Sequence, residues 1–161
     1  MRRLLLGIVL SASACSPATT RPYFPPVTGA AQAELELEVK GATGALADVL
    51  RSDSLPVETV VVRDGYIETA WFDAKTKRAT SARRIGPDVV QVRAWVDPTR
   101  SGHSRLTVET IFRPVADASR SARELDRQVP TDHPVGKRME EIVTELAKLY
   151  AGAGAADTTG K

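Results

Sequence analysis

The sequence predicts a two-layer α+β domain in which an antiparallel sheet of about five strands is covered by a long C-terminal helix. Two observations lead to this fold class. Several short runs between positions 33 and 112 alternate apolar and polar residues, which is the period of a half-buried strand. Residues 135–150 instead repeat their apolar side chains at helical spacing, and such a stripe must cover the dry face of a sheet.

The first strand is predicted over 33–40, where leucine and valine alternate with charged residues as far as Gly41. A helix could be drawn over the same residues, since Glu and Leu favour one, but the period of two is regular. The next segment, 43–52, has helical spacing of its apolar residues and begins with Thr43, a residue type that caps helices. We therefore expect a strand followed by a short helix.

Two consecutive hairpins are predicted to build the rest of the sheet. The first joins strands over 57–63 and 66–72 across Asp64-Gly65, a dipeptide that is the strongest short-range signal for a tight hairpin. The second joins strands over 89–96 and 105–112 across a loop rich in turn-forming residues. Hairpin-connected strands are antiparallel, so the sheet should be antiparallel throughout.

The C-terminal third of the chain is predicted to be helical. Ser121 and Glu124 have the spacing of a capping box, which indicates a short helix ending near Gln128. A long helix follows over 135–150. Its apolar stripe consists of Met139, Ile142, Val143, Leu146, Leu149 and Tyr150.

Residues 1–16 have the layout of a secretory signal. Arg2 and Arg3 provide a positive start, residues 4–10 are apolar, and small residues lead up to the single cysteine, Cys15. The apolar run is too short to cross a bilayer, which takes about 20 residues. Its end, Ala12-Ser13-Ala14-Cys15, resembles the lipobox of bacterial lipoproteins, in which leucine usually stands where this chain has Ala12.

This resemblance implies that residues 1–14 are a signal peptide and that Cys15 is lipidated and becomes the mature N-terminus. Ser16, rather than aspartate, follows the cysteine, which by the same resemblance implies export and anchoring in the outer membrane, facing the periplasm. An ordinary secretory signal or a buried free cysteine are the alternatives.

The chain then divides into three segments. Residues 15–33 carry the lipidated cysteine and a proline-rich tether, 34–150 form the α+β domain, and 151–161 are predicted to be a disordered tail.

The charge balance argues against nucleic acid as a partner. The chain has 22 Lys and Arg against 20 Asp and Glu, and removal of Arg2 and Arg3 with the signal leaves it formally neutral. Nucleic-acid-binding domains instead carry a concentrated positive charge. The remaining expected partners are the membrane, through the lipid anchor, and another protein of the envelope.

The predicted element order over 33–150 resembles the helix-grip arrangement, in which a long C-terminal helix lies across a curved antiparallel sheet. Small accessory lipoproteins of the outer-membrane β-barrel assembly machinery have domains of this sort. The lipobox-like end, together with the lack of a catalytic constellation, leads us to expect a lipid-anchored, non-enzymatic interaction or assembly module. Because helix-grip folds can also enclose a ligand, a carrier of a small apolar or lipid molecule between sheet and helix is the alternative.

The sequence offers weak signals for catalysis. His133 follows Asp132 and could act as a base in an envelope hydrolase, but adjacent side chains diverge along an extended backbone. The only other histidine, His103, is distant in sequence, and metal-ligand spacings such as HExxH or CxxC are missing. We therefore expect no catalytic residue, no metal and no cofactor.

Two sets of residues are candidate contacts. Trp71 and Trp95 are opposite in parity to the aliphatic residues of their strands, so they should face away from the helix. They either form an exposed patch for a protein partner or are covered by Tyr23 and Phe24 from the tether. The second set lies in a basic loop and is a candidate for contact with anionic lipid: Lys75, Lys77, Arg78, Arg83 and Arg84.

Overall fold

The protein is described by a computed structural model that covers residues 21–23, 25–82 and 84–151. The predicted signal peptide, Cys15 and the tail from position 152 lie outside these residues. Within the described part, the chain forms seven strands and three helices. The strands are β1 (Ala31–Leu35), β2 (Val57–Val61), β3 (Tyr66–Thr69), β4 (Phe72–Asp73), β5 (Val89–Pro98), β6 (Ser104–Phe112) and β7 (Arg127–Gln128). The helices are α1 (Val39–Ser52), α2 (Ala122–Leu125) and α3 (Pro134–Leu149).

The strands form one antiparallel sheet, and the predicted α+β class is confirmed. Its main path is β1-β6-β5-β3-β2, while β4 pairs with β5 and β7 pairs with β6. Both predicted hairpins, β2–β3 and β5–β6, are present, and pairing of β3 with β5 joins them. β1 extends the sheet on the other side by pairing with β6.

The helices α1 and α3 share one face of the sheet. α3 covers β1 and β6, and α1 covers β2, β3 and β5. Leu46 and Leu50 of α1 are packed in the same buried cluster as Ile142 and Leu146 of α3. The prediction that α3 covers the sheet is thus confirmed, with α1 as a second part of the same layer. None of the helices in the described residues has the length and hydropathy that a membrane span requires.

The predicted boundary between the first strand and the first helix was wrong. β1 ends at Leu35, Glu38 is the extended N-cap residue of α1, and Gly41 lies inside the helix. Thr43, predicted as the cap, is buried within α1, where its hydroxyl donates to the carbonyl oxygen of Val39 at 2.6 Å. The alternating pattern after Leu35 also fits a helical face, and burial against the sheet favours the helix.

The turn of the first hairpin is longer than predicted. β2 ends at Val61, so the turn spans 62–65 rather than Asp64-Gly65 alone. The predicted second strand is divided into β3 and β4, because pairing is interrupted at Ala70 and Trp71.

The C-terminal elements follow their local signals closely. The capping box is present, with the Glu124 carboxylate accepting from the backbone N–H of Ser121 at 2.8 Å. α2 is shorter than predicted, since Arg127 and Gln128 form β7 against β6. α3 begins one residue earlier than predicted and has Pro134 in its first turn.

Candidate functional site

The candidate site lies on the sheet face opposite α1 and α3. Side chains alternate along a strand, so Arg93 and Trp95 of β5 point to this face while Val92 and Ala94 enter the helix-covered core. Residues 21–28, of which position 24 is outside the described residues, lie over the face. We call this segment the N-terminal strap.

A row of opposite charges crosses three adjacent strands beneath the strap. Arg93 of β5 is directly opposite Glu68 of β3 and Glu109 of β6. Its guanidinium lies 3.4 Å from a Glu68 oxygen and 3.5 Å from a Glu109 oxygen. It also donates to Asp126, at the end of α2, at 3.0 Å.

Two further arginines complete what we call the buried charge cluster: Glu68, Arg93, Glu109, Arg113, Arg123 and Asp126. Arg123 donates to Glu109 at 2.8 Å, and Arg113 donates to Asp126 at 2.9 Å. Burial alone would lower the pKa of the Arg93 guanidinium, but Asp126 and Glu68 raise that pKa above its ordinary value. Positive and negative side chains therefore balance within the cluster, which offsets much of the cost of removing them from water.

Neutral side chains also hold Glu68. The Tyr66 hydroxyl donates to one of its oxygens at 2.7 Å, and the Gln91 amide donates to the other at 2.7 Å. Burial and this hydrogen bond to Glu68 raise the pKa of the Tyr66 phenol far above its ordinary value, so Tyr66 remains a donor. Glu68 is consequently held by Tyr66, Gln91 and Arg93 together.

The strap is fastened to the sheet mainly through side chains. The backbone N–H of Val27 donates to Glu109 at 2.8 Å, and Arg123 donates to the carbonyl oxygen of Pro25. At the start of the strap, the Arg21 guanidinium lies 2.8 Å from a carboxylate oxygen of Asp97. The cluster thus connects strap, sheet and α2.

The predicted tryptophan contacts are buried in this arrangement. Trp71 and Trp95 do lie on the face away from the helices, but their exposed fractions are 8% and 1%. The Arg113 guanidinium covers the Trp71 ring at 4.5 Å, while Trp95 packs against Tyr66 with ring centroids 5.7 Å apart. In the described residues the two indoles therefore form no exposed patch, because the strap and neighbouring side chains cover them.

The strap residues differ in how they meet this face. Val27 packs against the cluster formed by Trp71, Val89 and Ile111. Pro22 and Pro25 line a recess with Trp95. Tyr23 is fully exposed, and Phe24 lies outside the described residues. Whether any of these aromatic residues contacts a partner stays a prediction.

His133 is the N-cap residue of α3 and is largely buried. Its Nε2 lies 2.9 Å from the carbonyl oxygen of Pro87, and a carbonyl only accepts, so Nε2 carries the proton. Its Nδ1 has no hydrogen-bond partner among the described residues. In the same part of the chain, no group of three or more His, Cys, Asp or Glu residues is arranged to hold a metal ion.

The predicted basic loop follows β4, at the Val89 end of β5. Lys75, Arg78 and Arg84 are exposed, and Arg83 is outside the described residues. Lys77 is engaged elsewhere, since its ammonium donates to the carbonyl oxygen of Asp53 at 2.6 Å. Contact of this loop with anionic lipid stays a prediction.

The buried charge cluster was missed from sequence. A usable signal existed, since Arg93 and Glu109 occupy the centres of two strands predicted to pair and share the parity that faces away from α3. Their partners Arg123 and Asp126 follow more than ten residues later and belong to an exposed-looking charged run.

No protein-family model matches this chain, and no curated protein is significantly similar to it in sequence.

Proposed function

We propose that this chain is a lipid-anchored, non-enzymatic protein of the bacterial cell envelope that acts as an interaction or assembly module. The observation that carries the proposal is the arrangement of residues 1–16, in which a positive start and an apolar run lead through small residues to Cys15. Lipidation gives this cysteine a role, whereas a disulfide within the chain would need a second cysteine.

The domain itself supports an interaction module over a ligand carrier. A carrier of the helix-grip type holds its ligand between the sheet and the long helix. Here the inward residues Met139, Ile142 and Leu146 of α3 are at most 3% exposed and pack in one cluster with sheet residues. The long C-terminal helix on an antiparallel sheet is the feature on which the architectural resemblance to the accessory lipoproteins of outer-membrane β-barrel assembly rests.

The polar groups support a structural role over hydrolysis. His133 occupies the N-cap position of α3 and its side chain is hydrogen-bonded to a backbone carbonyl outside the helix, and the buried charge cluster pairs its acids with arginines and with the strap. A hydrolase would instead need a base aimed at a space where substrate can enter. Among the described residues, Tyr23 on the strap is the predicted aromatic contact that is exposed to a partner.

Expression of the full chain with its own N-terminus in a Gram-negative host tests the anchor. We expect the protein in the membrane fraction, with residues 1–14 removed and a lipid mass on Cys15. The Cys15→Ser variant should lose both the lipid mass and membrane attachment, whereas Ser11→Ala, which leaves the cysteine in place, should retain them. Wild-type protein without lipid mass would contradict the proposal.

The same preparation separates the alternatives. Native mass spectrometry should show no co-purified, non-covalent lipid, and a stoichiometric lipid would favour the carrier. His133→Ala that abolished a measured hydrolysis while keeping the fold would favour the enzyme. A photocrosslinking residue at position 23 should capture an envelope protein in intact cells, with position 149, on the helix-covered side and also exposed, as the matched control.

A further inference from the structure

Docking of the strap limits how far the domain can stand from a membrane. Read as a free tether, residues 15–33 would allow a reach of some tens of ångströms. In the structure, however, the chain lies against the domain from Arg21 onward. Cys15 precedes Arg21 by six residues. Whatever their conformation, these residues can separate the two Cα atoms by no more than about 20 Å.

The strap begins at one particular end of the sheet. Arg21 pairs with Asp97 at 2.8 Å and donates to the carbonyl oxygen of Asp64 at 3.3 Å. Asp64 lies in the β2–β3 turn, and Asp97 lies near the end of β5. We call this region the strap end: the β2–β3 turn (62–65), the β5–β6 loop (99–103) and the start of α1.

We propose that the strap end is the surface with which the domain meets the lipid bilayer. The inference rests on the proposed lipidation of Cys15, because the short connection must then hold this end within about 20 Å of the anchor. Its partner is the headgroup layer of the membrane that holds the anchor.

The chemistry of the strap end suits a headgroup layer. An open cleft of about 680 Å³ lies between the turns and α1, with Lys40, Arg63 and Arg100 among its lining residues and Val39 and Val62 on its walls. Long basic side chains can rest their apolar stems on such walls and place their charge among phosphates.

The contact should depend little on anionic lipid. Cations at this end have acidic neighbours: Arg21 with Asp97, Arg63 with Asp64 at 3.2 Å, and Arg100 with Glu34 at 3.6 Å. Each of these pairs has at least one side chain that is well exposed, and pairs screened by water in this way contribute little and can exchange partners. A surface of paired charges fits zwitterionic headgroups, and the short connection, rather than a net charge, holds it there.

The basic loop lies at the opposite end of the sheet. It adjoins Val89, and the ten residues of β5 place Val89 about 30 Å from Pro98 at the strap end. Lys75, Arg78 and Arg84 therefore face away from the anchoring membrane in this orientation. The two ends provide a direct comparison for an experiment.

The test uses the full chain, purified from membranes and reconstituted in phosphatidylcholine vesicles that contain a headgroup-attached quencher. A fluorophore is placed on a new cysteine, either Ser101→Cys at the strap end or Thr76→Cys in the basic loop, both at exposed positions. We expect quenching to be several-fold stronger at position 101. Equal quenching, or stronger quenching at position 76, overturns the proposal and favours the basic loop as the membrane contact.

Two controls separate this inference from the proposed function. The lipid mass on Cys15 is measured in each preparation: its absence overturns both the anchor and the orientation, whereas its presence with weak quenching at position 101 overturns the orientation alone. Addition of phosphatidylglycerol should not change the pattern. Quenching at position 101 that appeared only with this anionic lipid would contradict the role given to the short connection.

Discussion

Gly65 is needed both for the local conformation of its turn and for the packing of that turn against a neighbouring strand. Its φ is +63°, as a glycine in a hairpin turn allows, and its carbonyl accepts from the backbone N–H of Val96 at 2.8 Å. A Cβ at this position would lie 2.2 Å from the carbonyl oxygen of Val96. The turn therefore packs against the backbone of β5, which the dipeptide Asp64-Gly65 alone does not reveal.

Replacement of Gly65 should lower the free energy of unfolding more than replacement of a glycine that has a similar φ but free space around it. We expect Gly65→Ala to lower the free energy of unfolding by about 3 kcal/mol or more, because backbone strain and a backbone clash add together. Gly102 has φ +74°, and a Cβ there would meet no heavy atom within 4 Å apart from those of its chain neighbours. Gly102→Ala should therefore lower the free energy of unfolding by only about 1–2 kcal/mol. Urea denaturation measures both, and equal costs would show that the turn can move away from β5.

Among the elements, the strap is the least regular and depends most on its neighbours. Proline lacks a backbone N–H, so a segment with Pro22, Pro25 and Pro26 cannot pair as a strand along its length. Its attachment comes instead from side chains. Glu109 and Arg123 reach it from β6 and α2, and its own Arg21 pairs with Asp97. The buried charge cluster consequently stabilises an element that has no ladder of its own.

Loss of the Glu109 charge should loosen the strap. Glu109 is fully buried, contacts Arg93 and Arg123, and accepts from the Val27 N–H. We expect Glu109→Gln to lower the free energy of unfolding by about 3–5 kcal/mol, since it leaves buried arginines with a missing counter-charge.

Hydrogen exchange at the Val27 amide should accelerate in this variant. The matched control is Glu34→Gln, which alters an exposed acid 3.6 Å from Arg100 and should cost less than about 1 kcal/mol. If both variants had the same stability and the same Val27 exchange, Glu109 would not be what holds the strap.

At the scale of the whole molecule, Asp53 joins parts of the chain that are far apart in sequence. It is the C-cap residue of α1, and its carboxylate accepts from Arg138 of α3 at 3.1 and 3.2 Å while lying 3.7 Å from the Lys77 ammonium. The Arg138 hydrogen bond is the main reason that the pKa of Asp53 is lowered from its ordinary value. These contacts of Asp53 connect α1, α3 and the basic loop.

This pairing predicts a loss of stability in acid. Because the pKa of Asp53 is lower in the folded than in the unfolded chain, its contribution is fully present above the unfolded value, about 3.9, and is lost as pH falls through the folded value. We expect Asp53→Asn to lower the free energy of unfolding by about 1 kcal/mol at neutral pH, allowing for the partial exposure of Arg138.

The difference between wild type and Asp53→Asn should shrink below about pH 4 in denaturation experiments. Asp48→Asn, at an exposed position of the same helix, should change the stability by less than about 0.5 kcal/mol. A difference for Asp53→Asn that stayed constant down to the lowest pH would argue against the assigned linkage.

Local signals predicted most of the fold. The capping box at Ser121, the apolar stripe of α3 and the two hairpins depend on neighbouring residues, and each is present, except that Leu149 of the predicted stripe is exposed. The start of α1 was misplaced because residues after Leu35 fit both a period of two and a helical face. For the candidate site, parity correctly put Trp71 and Trp95 on the open face, but it did not indicate what covers them.

The sequence by itself determined the fold class, the order of the elements and the signal-like start that ends at Cys15, because periodicity, turn residues and signal layout are local properties. Only the tertiary structure decided that the strap lies on the sheet, that the indoles are buried, and that Arg93, Glu109 and Asp126 meet. The physical reason is that these contacts join segments tens of residues apart. Their stability comes from balanced charges removed from water together, which short-range patterns do not encode.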